Sequence, residues 1–235
     1  MVGACAFCLK SATAITPAGK SVKPWDCILF ESMNFIVFPT KGAIVQGWLL
    51  LAPKAHYLSM CAVNPTLLSE LRLLTDFVSV AVRECFGDLA LFEHGPVVPR
   101  QSVGCGVDHA HFHFVPTSCD LIDGLRGVFF EDLHWQEVQG ISDAAGFPSS
   151  SPYLYVEQPF GRAFLTSHPR LGSQLFRRVI ATHMGRQSSY DWRVFPEEQN
   201  AWCTAARIEA WKERKGVPRF VRTPGSVECR NGSHI

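Results

Sequence analysis

The first half of the chain switches between two hydrophobic periods. Residues 34–38 are a short apolar run, closed by Pro39, Thr40, Lys41 and Gly42, and read as a strand. Residues 46–52 are almost wholly apolar and read as a second, mostly buried strand. The short link between them makes them antiparallel neighbours. Over residues 65–86 the period becomes helical. Leu67, Leu71, Leu74, Val78, Ala81, Val82 and Cys85 form one stripe, Asn64 and Pro65 suit its start, and Gly87 suits its end. Such a stripe is a core face. Residues 89–93 are a third strand candidate, 96–106 a loop rich in proline and glycine, and 109–115 a fourth strand. Residues 120–161 are weakly patterned and expected to be rich in loops, while 173–184 and 197–211 read as helices. The first 24 residues are small and polar apart from Cys5 and Cys8, and those from Gly216 on are polar and expected to be poorly ordered.

Length adds that 235 residues suit one large domain, or a domain with an extension. Charged residues at 18% and hydrophobic residues at 47% describe a globular chain. Lys and Arg number 22 against 21 Asp and Glu. That balance argues against extended nucleic-acid binding and leaves room for a local basic pocket. No apolar run approaches the roughly 18–20 residues that cross a bilayer, so no membrane association is expected. The N-terminus lacks a basic segment followed by an apolar one, so no signal peptide is read and a cytoplasmic protein is expected. Nine cysteines, an odd count without an export signal, favour metal binding or burial over a disulfide framework.

The most informative segment is His109, His111 and His113, alternating with Ala110, Phe112 and Phe114. In a strand, alternate residues share a face, so the three imidazoles line one surface and the apolar residues the other. Imidazoles so arranged can supply a nucleophile, donors for an anion, or metal ligands. A chance cluster on a solvated sheet face and a site in which all three bind one metal remain alternatives.

The segment from His109 to Val115 resembles the motif of the histidine triad (HIT) superfamily, His-x-His-x-His followed by two apolar residues. Cys5 and Cys8 are similar to the Cys-x-x-Cys that opens many members, and residues 47–56, with Pro53, Lys54 and His56, to their Gly-His-strand-Pro-Lys-x-His segment. Residues 171–181 and 190–193 resemble the C-terminal extensions of Cwf19-like and adenylyltransferase-like relatives. The resemblance implies an α+β fold: an antiparallel sheet with packed helices over residues 1–118, often dimerised, plus a C-terminal helical and loop extension over 119–235 packing on it. It implies a nucleotidyl hydrolase or transferase in which His111 attacks the α-phosphate of a nucleotide or nucleotide conjugate, forming a nucleotidyl-histidine that water or a second acceptor resolves. A neutral imidazole is a competent nucleophile near pH 7, and His113 is expected to donate to a non-bridging phosphate oxygen. A non-catalytic module that binds a nucleotide or an RNA end is the alternative function, which the intact triad argues against. In zinc-containing relatives, including the galactose-1-phosphate uridylyltransferase branch, the ligand positions correspond to Cys5, Cys8, His56 and His109, which implies a structural zinc with no open position for water.

The chain also departs from the pattern. Trp48 stands where many members have a histidine, either filling the core or walling the base pocket. Gly106 stands where common members carry a hydroxyl, and Asp108 either orients an imidazole or faces solvent. Glu93 and His94 resemble a leaving-group segment of dinucleoside-polyphosphate hydrolases and are candidate general acids; a hairpin end without a role is the plainer reading. Thr40 and Lys41 lie where relatives contact ribose or base. In the extension Gln174, Arg177 and Arg178 are candidate nucleotide contacts, the arginines suited to a distal phosphate or an anionic leaving group, although a solvated basic face has the same pattern. Tyr190, Asp191, Trp192 and Arg193 read equally as a lid or a core anchor.

Overall fold

One antiparallel sheet organises the protein. In the computed structural model, which describes residues 5–12, 22–104, 106–130, 132–145, 147 and 150–222, its strands are β1 (Phe30–Glu31), β2 (Phe35–Pro39), β3 (Leu49–Pro53), β4 (Leu89–Gly95), β5 (Phe112–Pro116), β6 (Gln136–Val138), β7 (Tyr153–Glu157) and β8 (Ala163–Ser167). Their spatial order is β1-β2-β3-β5-β4-β7-β8-β6. The helices are α1 (Ala6–Ala12), α2 (Leu68–Phe86), α3 (Leu121–Leu125), α4 (Ile141–Ala145), α5 (Leu175–His183) and α6 (Glu198–Lys215).

The period of two along each strand sorts side chains to two faces. Phe35, Val37, Leu49, Leu51, Leu91, Phe112, Phe114, Tyr153, Tyr155 and Leu165 share a core with Leu71, Leu74, Val78 and Val82 of α2 and with Ile208 and Trp211 of α6. Ala90, Phe92, Leu154 and Val156 point the other way and pack with Leu175, Phe176, Val179 and Ile180 of α5. Ile36, Phe38, Leu50 and Ala52 form a smaller cluster with Phe7 of α1. Each fully buried Leu or Phe stabilises the fold by roughly 1.5–3 kcal/mol relative to exposure.

The helix start at Asn64 is as expected: its side chain accepts from Thr66 N–H at 3.0 Å. Gly87 closes α2 at φ +98°, a conformation that favours glycine. Residues 120–161 are rich in loops, as expected, and also hold the short elements α3, β6, α4 and β7. β7 is four apolar and aromatic residues followed by Glu157, and its strand character depends on its distant partner β4, through pairs such as Phe92 with Val156. The fourth strand begins at Phe112 and not at His109. Before it the chain is held by Ala110 N–H donating to Tyr57 O at 2.7 Å. The β4–β7 ladder carries the sheet past residue 118, so β6, β7 and β8 continue the surface that the earlier strands begin.

Candidate active site

His109, His111 and His113 are all buried, while Ala110, Phe112 and Phe114 sit in the core beneath α2. The His111 and His113 ring centroids are 4.8 Å apart. His111 Nδ1 lies 2.7 Å from the His109 carbonyl oxygen. A carbonyl only accepts, so Nδ1 carries the proton and Nε2 keeps its lone pair. The opposite holds at His113. Trp48 Nε1–H, which only donates, reaches His113 Nδ1 at 3.0 Å. The His113 proton is therefore on Nε2, which is buried and has no hydrogen-bond partner among the described residues. Burial lowers the His111 pKa to about 4 and that of His113 well below its ordinary value, so both rings are neutral at pH 7.

Trp48 is fully buried, edge-on to the rings of Phe92 and His113. The Arg177 guanidinium lies 4.7 Å over it and donates to Tyr190 O at 2.8 Å and Gly42 O at 2.6 Å. Arg177 is thus a buried tie between two loops and the tryptophan, placed away from open solvent. His94 shares the triad's face, with its ring centroid 6.2 Å from that of His113. Its Nε2 accepts the Phe176 N–H at 3.2 Å, and burial lowers its pKa to about 3.

Glu93, one residue away on β4, faces the other side of the sheet. Its carboxyl accepts from Met60 N–H at 2.7 Å and from the Tyr153 hydroxyl. Burial raises its pKa to about 8. Gly95 makes room for this pairing, since a Cβ there would lie 2.1 Å from the Tyr153 ring. Glu93 and the triad are therefore not brought together. The Thr40 hydroxyl donates to Lys41 O at 3.2 Å, and the Lys41 ammonium sits between the Trp25 and Trp192 rings. Gln174 and Arg178 line a cavity of about 570 Å³ between residues 100–108 and 173–193. The sequence offered no signal for Arg100 on the rim of that cavity.

The second cluster assembles as expected. Ligand atoms of Cys5, Cys8, His56 and His109 all lie within 4.8 Å of one another. Cys5 Sγ is 3.3 Å from His109 Nδ1, and Cys8 Sγ is 3.4 Å from His56 Nδ1 and 3.6 Å from His109 Nδ1. Metal bonds of about 2.0–2.3 Å to N and S place tetrahedral neighbours about 3.4–3.8 Å apart, so these donors fit one ion. His109 Nε2–H donates to Pro53 O at 2.7 Å, which leaves the Nδ1 lone pair for a metal. Phe7 lies between the two cysteines on α1. Its ring packs edge-on to Phe38 at 5.1 Å and to His109 and His111 at 5.4 Å. No sequence pattern marked Phe7, whose role comes from this docking.

No family model and no curated protein matches the chain. Solved structures similar to it include the following three. One is a HIT-like protein involved in cell-cycle regulation from Bartonella henselae, at 20% identity over 38% of this chain and 68% of that one, with a TM-score of 0.33. Another is a hypothetical histidine triad nucleotide-binding protein from Sulfolobus tokodaii, at 17% identity over 90% and 97%, with a TM-score of 0.39. The third is a hypothetical protein from Leishmania major, at 20% identity over 51% and 77%, with a TM-score of 0.37. The chain's own residues show an antiparallel sheet, packed helices and a His-x-His-x-His segment entering β5, with an unprotonated Nε2 on its middle histidine.

Proposed function

We propose that this protein is a nucleotidyl hydrolase or transferase acting at the α-phosphate of a nucleotide conjugate through a covalent nucleotidyl-His111. The observation that carries the reading is the hydrogen bond from His111 Nδ1–H to the His109 carbonyl, which reserves Nε2 for attack. In the first step Nε2 bonds to phosphorus, and the bond from phosphorus to the leaving-group oxygen breaks with its electron pair. The resulting imidazolium keeps its Nδ1 proton facing the His109 carbonyl. Water or an acceptor hydroxyl then attacks phosphorus, the P–N bond returns its pair to Nε2, and the attacking oxygen gives up its proton to solvent water. His113 Nε2–H is the donor for a non-bridging oxygen, where a preorganised donor lowers the barrier.

Zinc is the ion we assign to Cys5, Cys8, His56 and His109, because two thiolates and two imidazoles in a tetrahedral set suit it. When bound, it supplies a cross-link between α1 and the triad segment. No helix among the described residues is long and apolar enough to cross a membrane, and the partner we propose is a nucleotide or its conjugate. In a panel of nucleotide conjugates, His111→Ala is expected to abolish turnover while nucleotide binding persists. Turnover equal to wild type would overturn the mechanism, and nucleotide binding by a wild type that never turns over would favour a binding module.

A further inference from the structure

Cys5 and Cys8 flank Phe7, so whatever holds the two sulfurs also holds the ring. Leu9 N–H donates to Cys5 O at 3.0 Å, which makes Cys5 the start of the first turn of α1. Residues three apart on such a turn share a face. The two sulfurs lie within 4.8 Å of each other and of ring nitrogens of His56 and His109. The four residues differ in access: His109 is buried, both cysteines are half-buried and His56 is exposed. Small solutes therefore reach the sulfurs from the His56 side, where Cys8 lies.

Phe7 points inward from this turn. Its ring packs on Ile36, Phe38, Leu50 and Ala52. Phe38 pairs with Leu50, and Leu50 with His113, so this apolar row continues the triad's face across β3 and β2. The same ring meets the edges of the His109 and His111 rings, with centroids 5.4 Å apart. At the other end of α1, Lys10 Nζ donates to Trp25 O at 2.5 Å and pairs with Asp26 at 3.1 Å. The helix thus has two anchors, the sulfur pair at its first turn and Lys10 at its last, and the first of them sets where Phe7 lies against His111.

We propose that Cys5 and Cys8 are a site of reversible oxidation by peroxide, and that their disulfide releases the metal and lifts Phe7 from His111. One thiolate attacks a peroxide oxygen, the O–O bond breaks, and hydroxide leaves with the electron pair, giving a sulfenic acid. The second thiolate attacks that sulfur, the S–S bond forms, and a second hydroxide leaves. Two electrons pass from sulfur to peroxide, and the metal departs with its charge unchanged. Two imidazoles alone are too few for a structural tetrahedral site. A disulfide spans about 3.5–4.5 Å between Cβ atoms, against about 5–6 Å for helical neighbours three apart, so closing it distorts the first turn. Lys10 keeps the arm attached, so the movement is local, and a thiol reductant with fresh metal reverses it. The inference rests on the proposed zinc site and is independent of the nucleotidyl chemistry.

Three readouts follow the full chain, loaded with zinc, through treatment with hydrogen peroxide. A chromogenic chelator in solution is expected to register about one zinc released per chain. Peptide mass mapping is expected to find Cys5 and Cys8 joined and two hydrogens lighter. Diethyl pyrocarbonate, which acylates a neutral imidazole, is expected to modify His111 about tenfold faster after oxidation, as located by fragmentation of the peptide carrying residues 109–113. His56 and His109 gain reactivity from metal loss alone, since each frees a ligand nitrogen; His111 is no ligand, so its gain reports uncovering. Phe7→Ala is expected to give the faster His111 rate with zinc bound and no oxidant, and dithiothreitol with added zinc to restore the slow rate in the oxidised wild type. Zinc retained in excess peroxide, release without a bond between Cys5 and Cys8, or a His111 rate unchanged by oxidation or by Phe7→Ala would overturn the inference. A wild type that holds no zinc after incubation with the ion would overturn the zinc reading and this inference together, whereas a loaded chain indifferent to peroxide removes this one alone.

Discussion

Each imidazole of the triad has its proton placed by a neighbour that can play only one part in a hydrogen bond. The His109 carbonyl can only accept, so His111 presents a lone pair; the Trp48 indole can only donate, so His113 presents a proton. The alternation of His109, His111 and His113 was legible in the sequence because a period of two needs only local chain geometry. The His113 tautomer was not, since it depends on β3 and β5 lying side by side, which brings Trp48 to His113. Nor did the sequence separate Glu93 from His94. Adjacent strand residues face opposite ways, and the pairing of Phe92 with His113 decides which one joins the triad. Trp48→Phe keeps most of the bulk and removes the donor. It is expected to lower kcat about tenfold, to cost about 1–3 kcal/mol from the buried His113 Nδ1 it leaves unsatisfied, and to scramble the His113 tautomer in nitrogen NMR. An unchanged tautomer with unchanged kcat would show that the indole only fills space.

At the scale of elements, α1 and β4 each carry a consequence. Seven residues are too few for a helix to be stable alone, so the docking of α1 depends on Phe7 and on the Cys5, Cys8, His56 and His109 cluster. About one zinc per chain is expected by elemental analysis. Chelation, or Cys8→Ser, is expected to lower the melting temperature and expose the 5–12 segment to protease; retained protection after full metal removal would contradict the cross-link. On β4, burial holds the Glu93 carboxyl protonated in the folded protein up to about pH 8, against an ordinary 4.5. Between those values the folded state binds the extra proton, so stability falls as pH rises. The loss across the window is on the order of 5 kcal/mol. Glu93→Gln is expected to flatten the decline in melting temperature from pH 5 to 9; a slope equal to that of wild type would show that Glu93 is ionised when folded. The long helices and early strands were legible because their periods are strong. α1 and β7 were not, because one depends on its side-chain cluster and the other on a partner more than fifty residues away in sequence.

For the whole molecule, the sheet's continuity is the main fact. β4 pairs with β5 on one side and with β7 on the other, so neither of its edges is left for a second chain. The sheet ends at β1, two residues long and bridged to Arg222, and at β6, three residues long with Glu137 paired to Arg162. Short, charged edges resist strand addition. The family resemblance made a homodimer an expectation. The observed pairing instead predicts a monomer in light scattering, and a stable dimer would require a surface other than the β4 edge. Packing of α5 on the sheet brings Arg177 over Trp48 beside His113, a juxtaposition that residues far apart in sequence did not reveal. The central claim is that His111 Nε2 becomes covalently bonded to phosphorus. Intact-mass spectrometry after rapid mixing with dinucleoside polyphosphates and an alkaline quench tests it most directly. The account predicts a mass gain of one nucleoside monophosphate in the wild type and none in His111→Ala; a wild type that consumes substrate without that gain, or a gain that survives in His111→Ala, would contradict it.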